Sequence, residues 1–96
     1  MQEKESSSRR RVKKEPWFLY ILECNDGSLY TGITKDIKRR LKEHSDGRAS
    51  RFTRTRRPVK LLYHEPCAGR TKALVRECRV KAFNKKRKLT LIQEGA

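Results

Sequence analysis

Nothing in the sequence is apolar for long enough to cross a membrane; its apolar runs fall far short of the roughly 20 residues a spanning helix needs. The N-terminus lacks the apolar core of a secretory signal, so no export is expected. Cysteine is scarce. Cys24, Cys67 and Cys78 are odd in number and form no C-x-x-C pair, which argues against a disulfide framework and against a Cys-rich zinc site. Free thiols suit a reducing compartment, so the expected localisation is cytoplasmic. Acidic residues are also few. Eleven Asp and Glu against 26 Lys and Arg leave a formal net charge of +15. Such a surface repels cations and attracts polyanions. Apolar residues make up only 34% of 96, so one small domain with a modest core is expected. No membrane and no obligate protein partner are implied.

What is present divides the chain in two. Residues 1–15 hold Ser6–Ser8 and then Arg9, Arg10, Arg11, Lys13 and Lys14, with Val12 the one apolar side chain after the first Met. This segment cannot bury surface and is expected to be a disordered basic tail. It reads equally as a flexible arm on a nucleic acid or as a solubilising tail. Residues 16–96 are the expected domain. Trp17–Cys24 and Leu29–Thr34 read as strands around the hairpin signal Asn25-Asp26-Gly27-Ser28. A three-residue loop with Gly27 left-handed pairs Leu22 with Tyr30 and Tyr20 with Gly32. It puts both tyrosines on one face, and Leu19, Ile21, Leu29 and Ile33 on the other, where a helix can cover them. A two-residue loop would split the tyrosines between the faces.

Thr34 is the expected N-cap of a helix over 35–45, with Gly47 its stop. On that helix Arg40 and His44 are four apart, beside an Ile37/Leu41 stripe. Residues 48–57 read as irregular and very basic, and Val59–His64 as a third strand. Pro66–Arg70 reads as a turn. A helix follows over 71–82, with Ala73, Leu74, Cys78 and Val80 on one arc and Glu77 in the middle of it. Asn84 is the expected cap of a last helix. The fold class is therefore α+β, a small three-stranded antiparallel sheet flanked by helices.

Two groups of residues carry chemistry. Arg39, Arg48, Arg51, Arg54, Arg56 and Arg57, with Phe52 and Tyr63 nearby, suit phosphate contacts and occasional base stacking. Alone they indicate polyanion affinity, for DNA or RNA. The sharper group is Tyr20, Tyr30, Arg40, His44 and Glu77. A carboxylate on an apolar arc is costly unless paired or metal-bound. Mg²⁺ takes oxygen ligands, often one or two carboxylates completed by water and phosphate. Phosphodiester hydrolysis needs charge neutralisation, an activated water and a protonated leaving group. Glu77 for the metal, Arg40 for the phosphate, and a tyrosine with His44 for proton transfer would meet those needs. Tyrosine has an ordinary pKa of about 10, so the expectation includes cations, Arg40 and a metal, that lower it.

The order and spacing of these residues resemble the GIY-YIG endonuclease superfamily, and within it the small stand-alone YhbQ-like branch. Phe18-Leu19-Tyr20 corresponds to the first tripeptide and Tyr30-Thr31-Gly32 to the second. Arg40 and His44 correspond to the helical Arg and the His or Tyr four residues later, and Glu77 to the metal-binding Glu. The resemblance runs from about Pro16 to Ile92. Phe18 stands where the family has Gly and Thr31 where it has Ile, and the further Asn of some members is not carried over to Asn84. The resemblance implies catalytic roles for Tyr20, Tyr30, Arg40, His44 and Glu77, with Mg²⁺ or Mn²⁺ on Glu77. It also implies DNA as partner and hydrolytic nicking of it, in repair or recombination. Larger relatives carry a separate DNA-recognition domain that this sequence does not show, so selectivity for DNA structure is expected over selectivity for sequence. The alternative is a nucleic-acid-binding module without catalysis.

Overall fold

The computed structural model describes residues 16–95; the basic segment 1–15 lies outside the described residues. Strand β1 (Pro16–Glu23) turns through a tight loop into β2 (Leu29–Thr34). Gly27 takes φ +85°, the Cys24 N–H donates to the Ser28 carbonyl, and the Gly27 N–H donates to the Cys24 carbonyl. The loop is thus the three-residue form, and the register pairs Leu22 with Tyr30 and Tyr20 with Gly32. Helix α1 (Ile37–Ser45) follows, then α2 (Arg51–Arg54), β3 (Lys60–Ala68), α3 (Arg70–Lys81) and α4 (Lys85–Gly95). The three strands form one antiparallel sheet in the order β2-β1-β3.

The core follows from side-chain alternation along β1. Leu19 and Ile21 point to one face and meet Val80 of α3, and all three are fully buried. Leu29, Phe83, Leu91 and Ile92 pack around them. The other face of β1 carries Tyr20 and Leu22 and lies under α1 and α2. Helix α3 is also clamped to β3. Arg76 places a forked pair of bonds on Glu65, at 2.7 and 3.1 Å, and the Tyr63 hydroxyl donates to the same carboxylate at 2.5 Å. Helix α4 begins where expected, with the Asn84 side chain accepting from the Arg87 N–H.

Four features differ from the expectation. The N-cap of α1 is Asp36, which accepts from the Arg39 N–H, while the Thr34 hydroxyl accepts from the Asp36 N–H one step earlier. Residues 48–57 are not wholly irregular. Ser50 caps the single-turn α2 and turns Thr53 inwards. Strand β3 runs on through Pro66 to Ala68, because it is an edge strand and the missing N–H of Pro66 removes no bond of the ladder. On α3 the buried stripe is Ala73 and Val80 alone; Leu74 and Cys78 are exposed.

Candidate active site

Hairpin geometry brings Tyr20 and Tyr30 to the same face, with ring centroids 6.3 Å apart. Gly32 explains how Tyr20 fits. A β-carbon at position 32 would lie 2.5 Å from the Tyr20 hydroxyl oxygen, so the phenol lies across the bare backbone of β2. Helix α1 brings His44 down onto this pair. Its Nε2 is 2.8 Å from the Tyr20 hydroxyl, and its ring meets that of Tyr30 edge-on at 5.1 Å. His44 Nδ1 is in turn 2.7 Å from the Thr53 hydroxyl. His44 and Thr53 are both fully buried. The Tyr30 hydroxyl makes no hydrogen bond among the described residues, and its ring tilts against Phe52 at 6.0 Å.

The electrostatics of this cluster differ from the expectation at one point. Burial pushes the Tyr20 phenol well above its ordinary value; Tyr30 and Glu77 push the same way, and Arg40 offsets them only in part. The expected lowering by cations does not prevail over burial, so the resting phenol is neutral. His44 moves the other way. Burial, and after it the Arg40 cation, hold the imidazole down at about 4, with Glu43 a lesser opposing influence. A neutral imidazole can accept a hydrogen bond from a neutral phenol.

Arg40 lies at the open side of the cluster. Its cation is near enough to Tyr20 to act on the phenol, and its Nε is 3.0 Å from Glu43. Five donors on one guanidinium leave N–H groups for a further anion. Glu77 lies on α3 one turn after Ala73, with a side chain 19% exposed and Lys81 at 3.4 Å. It is near enough to Tyr20 to act on the phenol through its charge. No group of three or more His, Cys, Asp or Glu gathers among the described residues. The donor set is therefore a single carboxylate, a ligand that Mg²⁺ takes with water and phosphate oxygens completing its shell, and it does not fit a closed zinc cage.

The six arginines expected to grip a backbone differ in freedom. Arg56 is held to Asp26 at 3.1 Å and lies 3.9 Å above the Phe52 ring. Arg57 donates to the Ser45 and Arg54 carbonyls, Arg48 pairs with Asp46, and Arg39 pairs with Glu43. Arg51 and Arg54 are exposed and make no ion pair among the described residues. A cavity of about 530 Å³ lies elsewhere, between α3 and α4, and includes Arg76, Phe83, Arg87 and Leu91. Thr53 is the member of the cluster that the sequence reading missed. The available signal was Ser50 three residues earlier, a cap residue that starts a helical turn inside the basic run.

A family model described as the GIY-YIG catalytic domain matches residues 16–90. The chain belongs to the GIY-YIG family. Among GIY-YIG relatives it is 46% identical to a UPF0213 protein of Staphylococcus epidermidis, over 81% of this chain and 95% of that one. It is also 46% identical to a UPF0213 protein of Desulfotalea psychrophila, over 88% and 78% of the two chains. The solution NMR structure of a UPF0213 protein of Bacillus halodurans superposes with a TM-score of 0.55 at 36% identity, covering 84% of this chain and 87% of the other. That of an E. faecalis protein gives 0.59 at 32% identity, over 85% of this chain and 88% of the other. Membership in the GIY-YIG family places the chain among nucleases, proteins that act on nucleic acid and generally use a divalent metal. Among the described residues, no helix is long and apolar enough to cross a membrane.

Proposed function

We propose that the protein is a metal-dependent DNA endonuclease that hydrolyses phosphodiester bonds at the Tyr20–His44 cluster. The observation that carries this reading is the 2.8 Å contact between a neutral, buried Tyr20 and a neutral, buried His44, with Arg40 alongside. Arg40 binds the scissile phosphate with the donors that Glu43 leaves free. The phosphate charge then offsets the Arg40 cation, which is the second cause of the low His44 pKa, and so makes the imidazole a better base. Tyr20 takes a proton from the attacking water as its own proton passes to His44 Nε2. The water oxygen bonds to phosphorus, the phosphorus–oxygen bond to the leaving group breaks, and the leaving oxygen takes a proton from solvent. The open Tyr30 hydroxyl orients the water. Glu77 is the metal ligand, and the chemistry supplied when Mg²⁺ or Mn²⁺ is bound there is charge neutralisation on the phosphate.

Arg51 and Arg54 contact the backbone on either side of the cut, with Arg39, Arg48, Arg56 and Arg57 adding to the positive face. Selection by DNA structure, in repair or recombination, extends this reading and rests on the family resemblance. The test is cleavage of nicked, branched and single-stranded DNA in Mg²⁺ or Mn²⁺, with binding measured in parallel. Glu77→Ala is expected to abolish Mg²⁺-dependent cleavage and to leave binding intact. A Glu77→Ala protein that cuts at the wild-type rate would remove Glu77 from the mechanism. Salt-sensitive binding by the wild type, with no products on any substrate, would favour the binding module over the nuclease.

A further inference from the structure

Thr53 is a fully buried hydroxyl that the mechanism above does not use. We propose that Thr53 is a positioning residue, which fixes His44 in the tautomer whose Nε2 is open to receive the Tyr20 proton. Its catalytic consequence rests on the endonuclease reading; the tautomer itself rests on hydrogen-bond polarity.

That polarity can be worked out from both ends of the chain of contacts. At one end the Thr53 hydroxyl donates to the Ser50 carbonyl at 3.4 Å. A carbonyl only accepts, so the single hydroxyl proton is used there. A lone pair of Thr53 is then left for His44 Nδ1, 2.7 Å away, and Nδ1 must carry the ring proton. At the other end the Tyr20 hydroxyl is buried, and the one hydrogen-bond partner it has among the described residues is His44 Nε2. The phenol proton then needs an acceptor, and His44 Nε2 stands 2.8 Å away. With the Thr53 proton on the Ser50 carbonyl and the Tyr20 proton on Nε2, the ring hydrogen belongs on Nδ1. The opposite tautomer would aim an N–H at the phenol oxygen and leave the phenol proton without an acceptor. That mismatch is costly because the three side chains are nearly out of water: Tyr20 is 3% exposed and His44 and Thr53 are 0% exposed.

The local fold is consistent with this role. Helix α2 is a single turn, too short to be stable by itself, and Thr53 is its one buried residue. The same turn presents Arg51 and Arg54 outwards. The segment proposed to grip the backbone therefore also carries the hydroxyl that orients His44. A purely packing role for Thr53 predicts something different: a valine of nearly the same shape would serve equally well.

The test uses the full chain, without metal for spectroscopy and with Mg²⁺ for cleavage. Long-range proton–nitrogen NMR correlation reads which ring nitrogen of His44 carries hydrogen. The wild type is expected to show the Nδ1–H form; an Nε2–H form would overturn the assignment whatever the variants do. Thr53→Val is expected to lose the single Nδ1–H state and to cut about 100-fold more slowly, the scale of effect of a misplaced reacting group. Thr53→Ser keeps the hydroxyl and is expected to restore both. A folded Thr53→Val protein that retains the Nδ1–H form, or that cuts like the wild type, would overturn the proposal. A wild type that does not cut would count against the endonuclease reading, and the nitrogen signals would still decide the tautomer.

Discussion

The Tyr20 phenol lies across Gly32 with no room for a side chain beneath it. The second tripeptide thus ends in glycine for a steric reason that its sequence position does not reveal. Loosening of the strand and close approach of a phosphate would explain a glycine there equally well. Gly32→Ala is expected to displace the phenol from His44. It should lower stability by about 1–3 kcal/mol, as overpacking typically does, and reduce cleavage more than melting temperature alone would predict. Thermal denaturation beside a cleavage assay checks both. His44 allows a second prediction at this scale. Its ordinary value of 6.5 falls to about 4 in the folded chain. Between those pH values the unfolded chain binds a proton that the folded chain does not. Stability therefore falls as pH falls from about 6.5 towards about 4, and this group has no further effect below that. An NMR titration of the His44 ring protons is expected to show a midpoint near 4; a midpoint at 6.5 or above would contradict a buried, neutral imidazole. The sequence pattern named Tyr20, Tyr30 and His44, which the fold brings into contact. It did not name Thr53, because a threonine among arginines forms no pattern until the turn that buries it is seen.

Among the elements, the hairpin was the most legible part. Asp26-Gly27 and a positive φ at glycine select one loop, and the loop sets which residues share a face. The helices were read with the right order and looser ends. Thr34 and Asp36 are both cap residues, two positions apart, and each satisfies a different N–H. The end of β3 was missed because proline signals a turn unless the strand is known to be an edge. On α3, the packing contact is narrower than the apolar arc of the sequence, because Arg76 and Glu65 fix the rotation of the helix. Arg76→Met is expected to leave Glu65 and the Tyr63 hydroxyl poorly paired and to lower stability by about 1–3 kcal/mol. Urea denaturation measures it, and an unchanged midpoint would show that the core alone orients α3.

At the scale of the whole molecule, charge and chemistry occupy different residues. The net charge of +15 and the exposed Arg51 and Arg54 draw in a polyanion at long range. Tyr20 and His44, buried and uncharged at rest, add nothing to that attraction. Composition alone made the polycationic surface legible; that the exposed arginines and the buried Tyr20–His44 pair are different residues needed the fold. Binding and cleavage should therefore come apart in a single substitution. Tyr20→Phe keeps the ring that packs across Gly32 and removes the one oxygen that faces His44 and Arg40. The most direct measurement is the Mg²⁺-dependent rate of DNA strand cleavage by wild type and Tyr20→Phe at matched salt, with affinity measured on the same substrate. The expected result is unchanged affinity and cleavage slower by about 100-fold or more. Cleavage by Tyr20→Phe at the wild-type rate would contradict the assignment of the reaction to this cluster.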